Sequence, residues 1–84
     1  MNRNIDGKVI ANNIRAERNR TKLTQEFVAE KLGISTKTYI SYEENAQSVK
    51  ATTLYKLSLI FGCNVSAFYL WNKFTKCENY FMKI

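Results

Sequence analysis

One glycine constrains this chain more than any other residue. Gly33 stands between two short segments that each carry a helix-start signal: Thr24 ahead of residues 25–32, and Ser35 ahead of a segment running to about Glu44. A Thr or Ser at such a position accepts from the otherwise unpaired amides of the first helical turn. Glycine ends a helix readily because it takes a positive φ at little cost. Only Ile34 and Ser35 separate Gly33 from the next helix, and so short a connection forces a steep crossing instead of an antiparallel hairpin. Phe27, Val28, Ala29 and Leu32 are the apolar residues of the first helix; Tyr39 and Tyr42, at i, i+3 in the second, point the same way and read as core.

The rest of the chain supports helices throughout. Proline is absent and there are only three glycines, so helices bounded by caps are the natural reading. Asp6 is placed to cap a first helix carrying Val9, Ile10 and Ile14, and the i, i+4 spacing continues to Arg18, where the inward stripe turns polar. Residues 51–61 set Leu54, Leu57 and Phe61 along one face with Tyr55 and Leu59 flanking it; Gly62 stops that helix, and Asn64 caps a fifth with Val65, Phe68 and Tyr69 inside. In residues 72–84, Phe74, Tyr80, Phe81, Met82 and Ile84 fit no single period, which leaves a strand, a helix or a partner-dependent tail as alternatives. The expected fold class is all-α with five helices, as one domain over residues 1–71 and a short extension over 72–84.

Composition removes several function classes. At 84 residues and 45% hydrophobic content the chain builds one core. Cys63 and Cys77 are the only cysteines and there is no histidine, so neither a zinc site nor a Cys–His nucleophile can be assembled; reduced thiols in a cytoplasmic protein are the expectation. No Gly-rich phosphate loop and no close pair of acids in a cleft is evident. The chain reads as neither an enzyme nor a cofactor or metal binder. Residues 1–10 lack an apolar run of signal-peptide length, and the longest apolar run, 57–65, is broken by Ser58, Gly62 and Asn64, so no membrane association is expected.

The net charge of +6 is uneven. Residues 1–22 hold six basic and two acidic side chains (+4), residues 23–50 hold three and four (−1), and residues 51–84 hold four and one (+3). A basic excess of this size favours a polyanionic partner.

The informative stretch is Gln25-Glu-Phe-Val-Ala29-Glu-Lys-Leu-Gly33-Ile-Ser35-Thr-Lys-Thr-Tyr39-Ile-Ser-Tyr42-Glu43. Ala29 is small where two helices cross, Gly33 makes the turn, and Ile34, Tyr39 and Tyr42 fill the angle between them; at these spacings the combination reads as a helix-turn-helix over residues 25–45. Here the chain resembles the phage-repressor and Cro-like family, also called the xenobiotic-response-element family of bacterial regulators. The resemblance runs without a gap over residues 13–70, through the Ile14-Arg15 pair, Leu23-Thr-Gln25, the segment 29–35, Thr38-Tyr39, Tyr42-Glu43, and Leu54 with Lys56-Leu57 before Phe61-Gly62. It implies a five-helix, lambda-repressor-like fold, a third helix in the major groove of double-stranded DNA, and a homodimer on an operator. No small-molecule effector is evident.

If Tyr39 defines the inward face of the third helix, steps of about 100° put Lys37 and Ser41 nearly opposite, with Thr36, Ile40 and Glu44 on the flanks. Lys37 is suited to donate to guanine O6 or N7, Thr36 and Ser41 to pair with several bases, and Ile40 to pack on a thymine methyl. The resemblance assigns Gln25 to a phosphate at the start of the second helix, and sets the loop residues Asn45, Gln47, Ser48 and Lys50 against the backbone; Ser35 and Thr38, at the start of the third helix, are further phosphate candidates. It further pairs Arg18 with Glu43 across the first and third helices, and aims Arg18 towards phosphate.

Three departures from the family pattern matter. Val49-Lys50 stands where a Pro-Ser pair is frequent, Asn45 replaces a frequent glycine, and Glu44 puts an acid beside the reading face. Asn45 is expected to keep the left-handed turn. The alternative function is an interaction module, a helix-turn-helix scaffold of antitoxin or anti-repressor type that binds another protein.

Overall fold

The computed structural model describes residues 7–70. They form α1 (Gly7–Arg20), α2 (Gln25–Leu32), α3 (Thr36–Glu44), α4 (Ala51–Phe61) and a 3-10 helix, Val65–Tyr69, with no strand among the described residues. The all-α class is as expected. The Asp6 cap, Trp71, Cys77 and the 72–84 extension lie outside the described residues.

Local chemistry sets the two central helices. Thr24 accepts from Phe27 N–H at 3.0 Å and Ser35 from Thr38 N–H at 3.1 Å, so each helix begins on a side-chain cap. Gly33 adopts φ 75° and ends α2. Its N–H donates to Glu30 O and the Ile34 N–H reaches back to Ala29 O, both at 3.0 Å, which satisfies two carbonyls of the last turn and turns the chain towards α3. A Cβ at Gly33 would meet nothing within 4 Å, so the requirement for glycine is purely one of backbone conformation. Gly33→Ala is therefore expected to lower stability by about 1–2 kcal/mol, seen as a lower urea midpoint with an unchanged slope. An unaffected midpoint would remove the left-handed turn from the account.

The core joins Ala11 and Ile14 of α1, Val28 and Ala29 of α2, Tyr39 of α3, Ala46 of the following loop, Leu54, Leu57 and Phe61 of α4, and Phe68 of the 3-10 helix. Ile34, Tyr42 and Val49 are partly buried against it, and the Tyr42 ring meets Tyr39 edge-on at 6.3 Å. Ala29 is 2% exposed within this core.

Four expectations are corrected. The fifth helix is a five-residue 3-10 helix, capped as expected by Asn64, whose Oδ1 accepts from Ser66 N–H; its Ala67 N–H to Asn64 O bond shows the tighter i to i+3 winding that short closing segments adopt. Phe27 is 40% exposed, because Val28 and Ala29 take the inward phase of α2, and Lys31 Nζ lies 5.3 Å over its ring. Tyr69 is exposed as well, Phe68 holding the inward position. Asn45 is extended, φ −160° and ψ 119°, and not left-handed: its N–H caps α3 on Ser41 O while its side chain turns to the backbone two residues on.

Candidate nucleic-acid interface

The face that α3 turns outward is fixed by what it turns inward. Tyr39 and Glu43, four residues apart, are buried; Thr36, Ile40 and Tyr42 are half-buried; Lys37, Thr38, Ser41 and Glu44 are exposed. Lys37 and Ser41 thus share the solvent face with Thr36 and Ile40 at its margins, and Glu44 stands in the open at its end.

The hydroxyls at the start of α3 are ordered before any partner arrives. Ser35 Oγ accepts from the Thr38 amide and donates to Thr38 Oγ1 at 2.9 Å, and Ser41 Oγ donates to Thr38 O at 2.6 Å. Ser41, its proton engaged, presents lone pairs outward, whereas the Thr38 hydroxyl, already accepting, keeps its proton to give.

Behind this face sits one carboxylate with donors from three helices. Arg18 reaches Glu43 through Nε to Oε2 at 2.6 Å and Nη2 to Oε1 at 3.1 Å, the forked geometry that suits a carboxylate. Gln25 Nε2 donates to Glu43 Oε1 at 3.1 Å, and Tyr39 Oη donates to Oε2. The Glu43 side chain is 3% exposed and that of Arg18 14%. Burial pushes the Glu43 carboxyl up, but the hydrogen bonds from Arg18, Tyr39 and Gln25 and the Arg18 charge outweigh it and hold the group below its ordinary value. Its hydrogen bond to Glu43 raises Arg18, and burial followed by its own hydrogen bond to Glu43 pushes Tyr39 up. The group is a charged pair with a neutral phenol and a neutral amide completing its shell.

Of the residues singled out in the sequence, Arg18, Gln25, Tyr39 and Glu43 are brought into one cluster, where only Arg18 and Glu43 were expected to pair. Arg18 spends its fork on Glu43 and Nη1 on Leu23 O at 3.0 Å, so its side chain faces the helix junction. Gln25 is half-buried at the α2 N-terminus with its amide nitrogen turned to Glu43. Asn45, Gln47, Ser48 and Lys50 are exposed in the loop after α3, and Asn45 Oδ1 accepts from Gln47 N–H at 2.9 Å. Arg20 turns away, to Glu17 Oε1 at 2.7 Å and Phe61 O at 2.9 Å.

Three structural roles have no counterpart in the sequence pattern. Arg15 donates to Glu43 O at 2.9 Å, a cation on the last turn of α3, where the helix dipole favours it. Asn13 is buried and donates to Phe68 O and Leu70 O at 2.9 and 2.8 Å, holding the 3-10 helix to α1. Gly7 is buried with its carbonyl accepting from Ala46 N–H at 3.0 Å. Each depends on a partner more than twenty residues away, so no local signal marks them. No helix among the described residues is long and apolar enough to cross a membrane.

A model of the helix-turn-helix family matches residues 14–68. Among solved structures, hydroxypropylphosphonic acid epoxidase from S. wedmorenis is 18% identical over 79% of this chain and 35% of that one, with a TM-score of 0.72. The hypothetical transcription factor NHTF from Neisseria is 19% identical over 89% of this chain and 82% of that one, with a TM-score of 0.71. No curated protein matches the chain. The chain spans about a third of the length of the epoxidase structures it matches, and at these identities the likeness is one of fold alone.

Proposed function

This chain belongs to the helix-turn-helix family, and from that premise we propose that it is a DNA-binding regulator, a small cytoplasmic repressor and not an enzyme, that binds a two-fold symmetric operator as a homodimer. The observation that carries the reading is the disposition of α3: Lys37 and Ser41 lie on the solvent face of a helix whose opposite side is anchored through Tyr39 and Glu43. A rigid helix with polar side chains outward is what the major groove admits. Lys37, Thr36, Ser41 and Ile40 read bases, while Gln25, Ser35, Thr38, Asn45 and Gln47 hold phosphates from the two helix N-termini and the loop. The epoxidase activity stays with the longer protein that carries it.

Selection from a random duplex pool tests binding and symmetry together. On the selected site, Lys37→Ala is expected to weaken binding by about 1–3 kcal/mol and relax the preference at one base pair, while Gln25→Ala weakens all sequences alike. Equal, sequence-independent losses for both would take the reading role from Lys37.

The exposed apolar side chains Tyr55, Leu59 and Leu70 and the acid Glu44 favour a second reading, a scaffold that binds another protein. Salt separates the two, since log affinity for DNA falls linearly with log salt and an apolar interface responds far less. A protein-only module retains no duplex even in dilute buffer.

A further inference from the structure

Among the described residues, the loop after α3 rests on a position that has no side chain. Gly7, the first residue of α1, is buried, and its carbonyl accepts from the amide of Ala46, itself buried. A Cβ at Gly7 would overlap Asn45 Oδ1 outright and stand 2.7 Å from Gln47 N and 3.0 Å from Gln47 Cα. The first of these atoms can swing aside. The other two are backbone and cannot move without moving the loop.

Helix propensity does not explain this glycine, because alanine is the better helix former. Its one asset is the bare Cα on which Asn45 and Gln47 are seated. Asn45 Oδ1 also accepts from the Gln47 amide, so Gly7, Asn45 and Gln47 form one unit whose outer side is exposed. Those two loop residues are the ones assigned to the DNA backbone, and a hydrogen bond to phosphate weakens steeply once the donor is displaced.

We propose that Gly7 is a positioning residue for the phosphate-contacting loop 45–50, holding Asn45 and Gln47 at the height from which they meet the DNA backbone. The inference rests on the DNA-binding reading above. It assigns to the start of α1 a role in affinity without any contact between Gly7 and DNA.

The test compares wild type, Gly7→Ala, Asn45→Gly and the double variant on a duplex selected by the wild-type protein. Gly7→Ala is expected to lower affinity about tenfold on all sequences alike while changing the log–log salt slope by no more than about one, since Asn45 and Gln47 are neutral and Lys50 is the one cation of the loop. The base preferences stay those of wild type, and the Ala46 amide loses hydrogen-exchange protection in the free protein. Because Asn45→Gly removes the side chain that overlaps first and frees the loop backbone, the added effect of Gly7→Ala is smaller in that background.

Wild-type affinity and Ala46 protection in Gly7→Ala would overturn the proposal. So would a Gly7→Ala that fails to fold equally in both backgrounds, since the glycine would then serve the core and not the loop. A wild-type protein that retains no duplex from the pool sinks the DNA reading itself, and the inference with it, in an arm that no variant affects.

Discussion

Glu43→Ala is expected to destabilise the folded chain by about 3–5 kcal/mol. The magnitude comes from what is left behind. Removing the carboxylate strands the Arg18 guanidinium in a site only 14% exposed, and takes from Tyr39 Oη and Gln25 Nε2 the acceptor they share. A buried ion pair is weak support for stability when weighed against an apolar replacement, but breaking it from one side leaves an uncompensated charge. At about 4–8 °C per kcal/mol for a domain of this size, melting falls by more than ~12 °C, a large part of what a small domain has to lose. An unchanged melting temperature would mean that the pair contributes nothing to the fold.

The same cluster sets the response to pH. The folded-state pKa of Glu43 lies below its ordinary value of 4.5, so its contribution is fully present above that value and is lost as pH falls through the lower folded one. Tyr39 works in the opposite sense: its pKa is raised above 10.0, so its contribution holds below pH 10 and is lost at still higher pH. Glu43→Gln keeps the shape and an acceptor but cannot titrate, and its stability is expected to be lower at neutral pH and flatter as pH falls below 4.5. An acid limb as steep as that of wild type would assign the titration to other carboxylates.

Phe68→Ala is expected to cost about 3–5 kcal/mol. Phe68 is fully buried and is the buried residue of a 3-10 helix whose neighbours on either side are half-buried or exposed. Its ring meets Phe61 edge-on, centroids 6.2 Å apart, and its carbonyl accepts from Asn13. Truncation opens a cavity between α1 and α4 and loosens the segment that Asn13 latches. Urea unfolding reads the loss directly, and a change under ~1 kcal/mol would mean that the 3-10 helix is an ornament on a core complete without it.

These two predictions fall on residues that the sequence marked to different degrees. Glu43 was legible through family resemblance as the partner of Arg18, and the structure adds Gln25 and Tyr39 to the same carboxylate. Tyr39 reads from sequence as a core aromatic, which it is; that its hydroxyl lies over the i+4 acid depends on a rotamer that packing selects. Phe68 was legible as apolar, whereas the latch from Asn13 spans fifty-five positions and leaves no trace in local pattern. Phe27 and Tyr69 are apolar by type and exposed in place, because helix phase and neighbouring residues decide burial where residue type alone does not.

By itself the sequence determined the elements and the sharp turn between α2 and α3. Thr24, Ser35 and Gly33 act within five residues of their partners, and short-range hydrogen bonds and allowed φ are properties of the local chain. The outward phase of Lys37 and Ser41 follows from helix geometry in the same way. Only the tertiary structure decided that Asn45 is extended, that Asn13 and Glu17 are buried polar groups, and that Gly7 is the seat of the loop after α3. Each of these is the desolvation or steric fit of one group against another brought near by folding, and no local signal reports which distant atom will arrive.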